Sequence, residues 1–217
     1  ANGGAELAIS TIQKMMNIHI DRYVMVNMQG LQQLVDAVGG ITVNNTLGFP
    51  ISIADQEEFD KISIGVGEQT LNGEEALVYS RMRYQDPEGD YGRQKRQRIV
   101  IEELVKKLMT FNSITNFEQL MNAVSKNVKT DLPIGQVMAL KNTYGPAITG
   151  NNLTQTFIEE RQLLLTNNAG EQIYYSYATD DVLLEVSNSI RKLMGQPTVQ
   201  TYPLLQQRED LYYLTTP

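Results

Sequence analysis

The order of its periodic segments predicts an α/β protein in which helices are layered against a sheet. Three observations carry that reading. Helix-like and strand-like stretches alternate through the first 44 residues. Apolar residues recur at spacings of three and four over residues 92–110. Short β-rich runs and a final helical stripe fill residues 153–195. Alternation of the two periods within one chain is the pattern of layered α/β folds.

In chain order, residues 4–17 read as a helix with Leu7, Ile9, Ile12 and Met15/Met16 on its apolar face. Residues 20–27 alternate as a strand would. Residues 29–38 give a short helix through Leu31, Leu34, Val35 and Val38, stopped by Gly39-Gly40. A strand follows at 41–44. Residues 45–66 lack periodicity and read as a long loop with a short strand near 59–64; loops of this length often border a functional pocket.

Asn72-Gly73-Glu74-Glu75 has the spacing of a capping box and opens a short helix through Tyr79. A hairpin turn at Asn72-Gly73 is the alternative, but the following Glu-Glu-Ala-Leu favours helix. The helix of 92–110 is followed by others at 116–126 and 133–144, the last with Pro133 at its start. Their apolar stripes fit ordinary core packing, or the wall of a greasy cavity. Beyond them lie β-like runs at 153–158, 163–165 and 173–177, and a helix from Asp180 or Asp181 to Gly195. One domain spans 1–195, with 196–217 as a tail or strap.

The charge is unevenly placed. The chain has 18 Lys and Arg against 25 Asp and Glu, a formal net charge of −7. Yet residues 80–98, SRMRYQDPEGDYGRQKRQR, hold six of the basic residues and only three acidic ones. A basic knot on an acidic background calls for a local, specific anionic partner. Arg81 and Arg83, two apart, share a side if the segment is extended. Turn formers occupy 85–90, and Arg93, Gln97, Val100, Leu104 and Leu108 then recur at helical spacing. An arginine on an apolar stripe is costly unless it is paired or opens into a cavity. The pattern therefore predicts a pocket edge where Arg81, Arg83, Arg93 and Gln97 converge beside a helix N-terminus. Planar guanidinium forks suit phosphate oxygens, and several together suit a diphosphate. Lys95, Arg96 and Arg98 read instead as solvated helix surface.

The run Arg81-Met82-Arg83, Asp86-Pro87, Gly89-Asp90, Gly92-Arg93 and Arg96-Gln97 resembles the signature of the LytR–CpsA–Psr family of cell-wall glycopolymer transferases. The segment at 3–43 and the passage at 67–77 are similar to the parts of that domain preceding the signature. The resemblance is strong over residues 3–110 and loose over 111–195. It implies a mixed β-sheet flanked by helices, with an apolar pocket for a lipid tail. It also implies transfer of an anionic glycopolymer, of teichoic acid or capsular type, from a polyprenyl-diphosphate carrier to peptidoglycan, with magnesium on the diphosphate. By position, Arg81, Arg83, Arg93 and Gln97 would hold the diphosphate. Asp90, with Arg93 the catalytic candidate, would sit near the metal or act on the acceptor hydroxyl. A non-catalytic module holding prenyl diphosphate or anionic glycan is the alternative from another class.

The family's two metal-binding aspartates and a further arginine precede the Gly3-Gly4 region, so the magnesium ligands are expected outside this sequence. No Asp pair within it has metal-site character: Asp180-Asp181 reads as a helix start. The expectation is that the isolated chain binds diphosphate weakly and turns over little. The same resemblance implies an extracytoplasmic domain held by an N-terminal membrane anchor.

Other chemistries are set aside on composition. His19 is the only histidine, which excludes multi-histidine metal sites. There is no cysteine, which fits cytosolic and exported proteins alike and decides little. Glycine-rich phosphate loops are missing. A pI of about 4.8 with a single basic cluster disfavours nucleic acid.

Overall fold

The computed structural model describes residues 4–53, 62–110, 114–150, 157–167 and 169–200. The chain divides into two compact units, Arg22–Leu153 and a second made of Ala1–Asp21 with Thr154–Pro217. The single domain expected over 1–195 includes residues of both units.

The larger unit opens on β1 (Val24–Val26), antiparallel to β4 (Val128–Thr130) with Val24 opposite Thr130. The strand is shorter than alternation predicts, and both ends have a cause. The Tyr23 amide donates to Asp131 Oδ1 at 2.8 Å instead of to a ladder partner. Asn27 leaves the strand to cap α2 (Met28–Ala37), its side chain accepting from the Gly30 amide at 2.7 Å. α2 buries Leu34 and Val35 and ends where Gly39 and Gly40 take positive φ.

β2 (Ile41–Asn45) pairs with β3 (Gly67–Leu71), Ile41 opposite Leu71. The long loop between them is tied by one antiparallel bridge from Ile51 to Ile64 and by the buried Asn45 amide, which donates to the carbonyls of Phe49 and Gly65. Of the strand expected at 59–64, residues 59–61 lie outside the described residues. α3 (Gly73–Arg81) begins with the capping box that the spacing predicts: Glu75 N–H donates to Asn72 Oδ1 at 3.0 Å and Asn72 N–H to Glu75 Oε2 at 2.8 Å. Then come α4 (Asp90–Leu108), α5 (Ile114–Val124) and α6 (Ile134–Thr149). α6 starts after Pro133 as its N-cap and continues through Pro146, beyond the expected end at 144. Leu34, Val35, Ile41, Tyr79, Met82, Val100, Leu104 and Val124 are buried in one core.

In the smaller unit, α1 (Gly4–Met16) packs on α7 (Asp180–Leu193) through Met16, Leu183 and Val186. Ser187 Oγ donates to the Met16 carbonyl at 2.5 Å, satisfying a buried hydroxyl. β5 (Arg161–Thr166) and β6 (Gln172–Tyr177) form a hairpin.

The α/β class stands. Within it, the strands pair as three separate two-stranded antiparallel ladders, so a continuous mixed sheet is not formed among the described residues. No helix among them is long and apolar enough to cross a membrane.

Candidate functional site: an arginine-lined cavity

The site is built where α3 gives way to α4. Arg81 is the last residue of α3. Met82 follows with φ −53 and ψ 132, an extended step that buries its own side chain and leaves Arg81 and Arg83 on the same side. Residues 84–89 turn the chain: the Asp86 amide donates to the Arg83 carbonyl at 3.1 Å and the Gly89 amide to the Asp86 carbonyl at 2.9 Å. Gly89, at φ +56, occupies the left-handed region that glycine enters without strain, and α4 begins at the next residue. Arg93 and Gln97 stand one turn apart on α4.

Arg81, Arg83, Arg93 and Gln97 line one cavity of about 630 Å³, as their spacing predicts. Tyr84 and Gln85 from the turn, Ser52 and Ile53 from the loop after β2, Met28 at the start of α2, and Met82 complete it. Asp90 stands at the edge of this group. Its Oδ1 lies 2.8 Å from Arg93 Nη2 and 3.4 Å from Arg83 Nε, and its Oδ2 accepts from Gln94 Nε2 at 3.0 Å. The Arg93 Nε is buried without a hydrogen-bond partner among the described residues. A buried donor in that state is costly until a ligand or water meets it. Three guanidiniums and one carboxylate leave the cavity with two net positive charges.

Arg96 departs from the sequence reading. It is not solvated surface but 5% exposed. Its Nε donates to the Tyr79 carbonyl at 2.8 Å, Nη2 to the Met82 carbonyl, and Nη1 to the carboxylate of Asp86, itself 7% exposed. Burial pushes the Tyr79 phenol above its ordinary range, and the Arg96 charge partly offsets that rise. Lys95 keeps its expected surface place, pairing with Glu88 at 2.6 Å. The buried stripe of α4 is Gly92, Arg96, Val100 and Leu104, a strict four-residue spacing. That spacing was open to inspection, but an apolar stripe continued upstream through 97 and 93 fits equally well.

Of the two readings of the apolar helical stripes, core packing holds for the buried residues of α4 and α5. Val100, Leu104, Leu120 and Val124 are core. The apolar lining of the cavity comes from Met28, Ile53 and Met82. Among the described residues no group of three or more His, Asp or Glu could hold a metal ion. Asp86 and Asp90 are engaged by arginines, so the residues present do not fit a magnesium site.

Fold and site together define an α/β protein with an arginine-lined cavity. The LytR_cpsA_psr family model matches residues 1–192, and the chain belongs to that family. It is 44% identical over 195 residues to biofilm regulatory protein A of Streptococcus mutans, covering 90% of this chain and 47% of that protein. It is 48% identical over 195 residues to the polyisoprenyl-teichoic acid–peptidoglycan teichoic acid transferase TagU of Enterococcus faecalis, covering 90% of this chain and 59% of the relative. The chain thus spans roughly half to three-fifths of these curated relatives. A solved structure from Streptococcus agalactiae superposes with a TM-score of 0.75 at 41% identity, over 100% of this chain and 72% of that one.

Proposed function

We propose that this chain carries the diphosphate-binding part of a phosphotransferase that moves an anionic glycopolymer from a polyprenyl-diphosphate carrier to peptidoglycan. The observation that carries the reading is the convergence of Arg81, Arg83, Arg93 and Gln97 on one cavity with two net positive charges. A diphosphate diester carries two negative charges, one on each phosphate. Bidentate guanidinium contacts to its non-bridging oxygens would match both charge and shape. Met28, Ile53 and Met82 offer apolar surface to the first carbons of the prenyl chain.

In the reaction, a hydroxyl oxygen of the acceptor attacks the phosphorus that bears the polymer. The bond from that phosphorus to the bridging oxygen breaks, and polyprenyl monophosphate departs with the electron pair. The arginines stabilise charge as it gathers on the bridging and non-bridging oxygens, which is where phosphoryl transfer gains most of its rate. The hydroxyl proton needs an acceptor, and Asp90 is the carboxylate nearest the cavity arginines. In the resting arrangement both its oxygens are engaged, so substrate phosphate must first draw Arg83 or Arg93 away. Magnesium, which the family resemblance implies, finds no ligand set in the described residues, and no step above uses it. Teichoic acid is the polymer class favoured by the name of the Enterococcus relative. Such a reaction belongs on the outer side of the cell membrane, where peptidoglycan is.

Calorimetric titration of the chain with geranyl diphosphate tests the reading. Binding in the micromolar to millimolar range that Arg93→Ala weakens is the expected result. Equal binding by the two proteins, or none by either, would sink it.

A further inference from the structure

The buried guanidinium of Arg96 joins three pieces of chain that carry the cavity arginines. Its Nε and Nη2 take the carbonyls of Tyr79 and Met82, on either side of Arg81, at the end of α3 where carbonyls lack helical partners. Its Nη1 takes the Asp86 carboxylate. The other oxygen of that carboxylate accepts from the Glu88 amide at 2.7 Å, while the Asp86 amide holds the Arg83 carbonyl. Gly92, one turn before Arg96 on the same stripe, lies against the Asp86 carboxylate so closely that a Cβ would overlap it. Residues 79–89 are thus fastened to α4 from inside the protein.

We propose that Arg96 is a positioning residue. By capping the end of α3 and gripping Asp86, it fixes Arg81 and Arg83 relative to Arg93 and Gln97 in the cavity lining, without itself meeting the ligand. This rests on the diphosphate reading above, and goes beyond it by assigning the device that sets the spacing of the clamp. A guanidinium is the group that can do so, since it meets three acceptors in one plane with separate N–H groups. Lysine has charge but no planar fork.

The test compares Arg96→Lys with Val124→Ala, a core truncation on α5 that serves as the control for general loss of stability. Two measurements are made on each: amide hydrogen exchange over residues 82–89, and calorimetric affinity for inorganic pyrophosphate. Arg96→Lys is expected to speed exchange in 82–89 at least tenfold over the control, and to weaken pyrophosphate about tenfold beyond it, the loss of roughly one charge-assisted contact. If either quantity stays at the control's value, the positioning role is overturned. Should Arg96→Lys fail to fold, Asp86→Asn is measured under the same criteria. Should the unaltered chain bind no pyrophosphate, the diphosphate reading fails, and the exchange comparison alone decides whether Arg96 holds the segment.

Discussion

Arg93 reaches back one turn of α4 to hold Asp90, its Nη2 2.8 Å from Oδ1, and Arg83 approaches the same oxygen from the preceding loop at 3.4 Å. A single carboxylate oxygen thus spaces two of the guanidiniums that line the cavity. The pair is about one-third exposed on each side, so its worth to stability is small. Its effect falls on the electrostatics of the cavity instead.

Replacing Asp90 by Asn should therefore separate binding from turnover. Removing its negative charge leaves the cavity with three positive charges, and geranyl diphosphate should bind several-fold tighter at low salt. Turnover by a full-length protein with lipid-linked polymer should fall by about 10²–10⁴-fold, the usual contribution of a positioned proton acceptor. Melting temperature should stay within about 1–2 °C. Weaker binding by Asp90→Asn would show that the carboxylate serves the ligand rather than opposing it.

Arg81→Ala, Arg83→Ala and Arg93→Ala should each lower diphosphate affinity by roughly 10- to 100-fold, since a hydrogen bond to a charged group contributes about 1.5–3 kcal/mol. Raising salt should weaken the unaltered protein more than any of the three variants, and titrations at two ionic strengths measure the difference.

Arg96→Met should be the most destabilising change in the basic cluster. It leaves Asp86 buried and without its partner, a loss of about 3–5 kcal/mol in chemical denaturation. The double change Arg96→Met with Asp86→Leu should cost less than the two single changes added together, because the second removes the orphaned carboxylate.

Alkaline stability should follow Tyr79. Its pKa is raised in the folded protein by burial, so the folded state favours the protonated phenol. That contribution is present in full below about pH 10, the unfolded value, and is lost as pH rises through the raised folded value. A Tyr79→Phe protein should lose less stability between pH 9 and 11 than the unaltered chain, as measured by urea midpoint.

Much of the site was legible because its residues obey local rules. A capping box fixes the start of α3 from four residues, and the glycine pair at 39–40 ends α2 whatever packs on it. Arg81, Arg83, Arg93 and Gln97 could be grouped from spacing alone. β3 escaped notice because Gly67–Leu71 buries only Leu71; its strand character comes from pairing with β2, a non-local term. Arg96 was misplaced for a related reason. Helical spacing shows which residues share a face but not what lies opposite, and the acceptors that make its burial tolerable come from 10, 14 and 17 residues upstream. The division into two units has no local marker near residues 21 or 153.

The contact between Gly92 and the Asp86 carboxylate has a consequence for how α4 is set about its own axis. Each residue of helix turns the chain by 100°, so a slip of one position would swing Arg93 and Gln97 a quarter-turn or more away from the cavity. Only a residue without a side chain fits against that carboxylate, and Gly92 is flanked by Tyr91 and Arg93. The helix can seat in one rotational phase alone, as a key does in a keyway, and the direction in which the arginines point is decided by an atom that is missing.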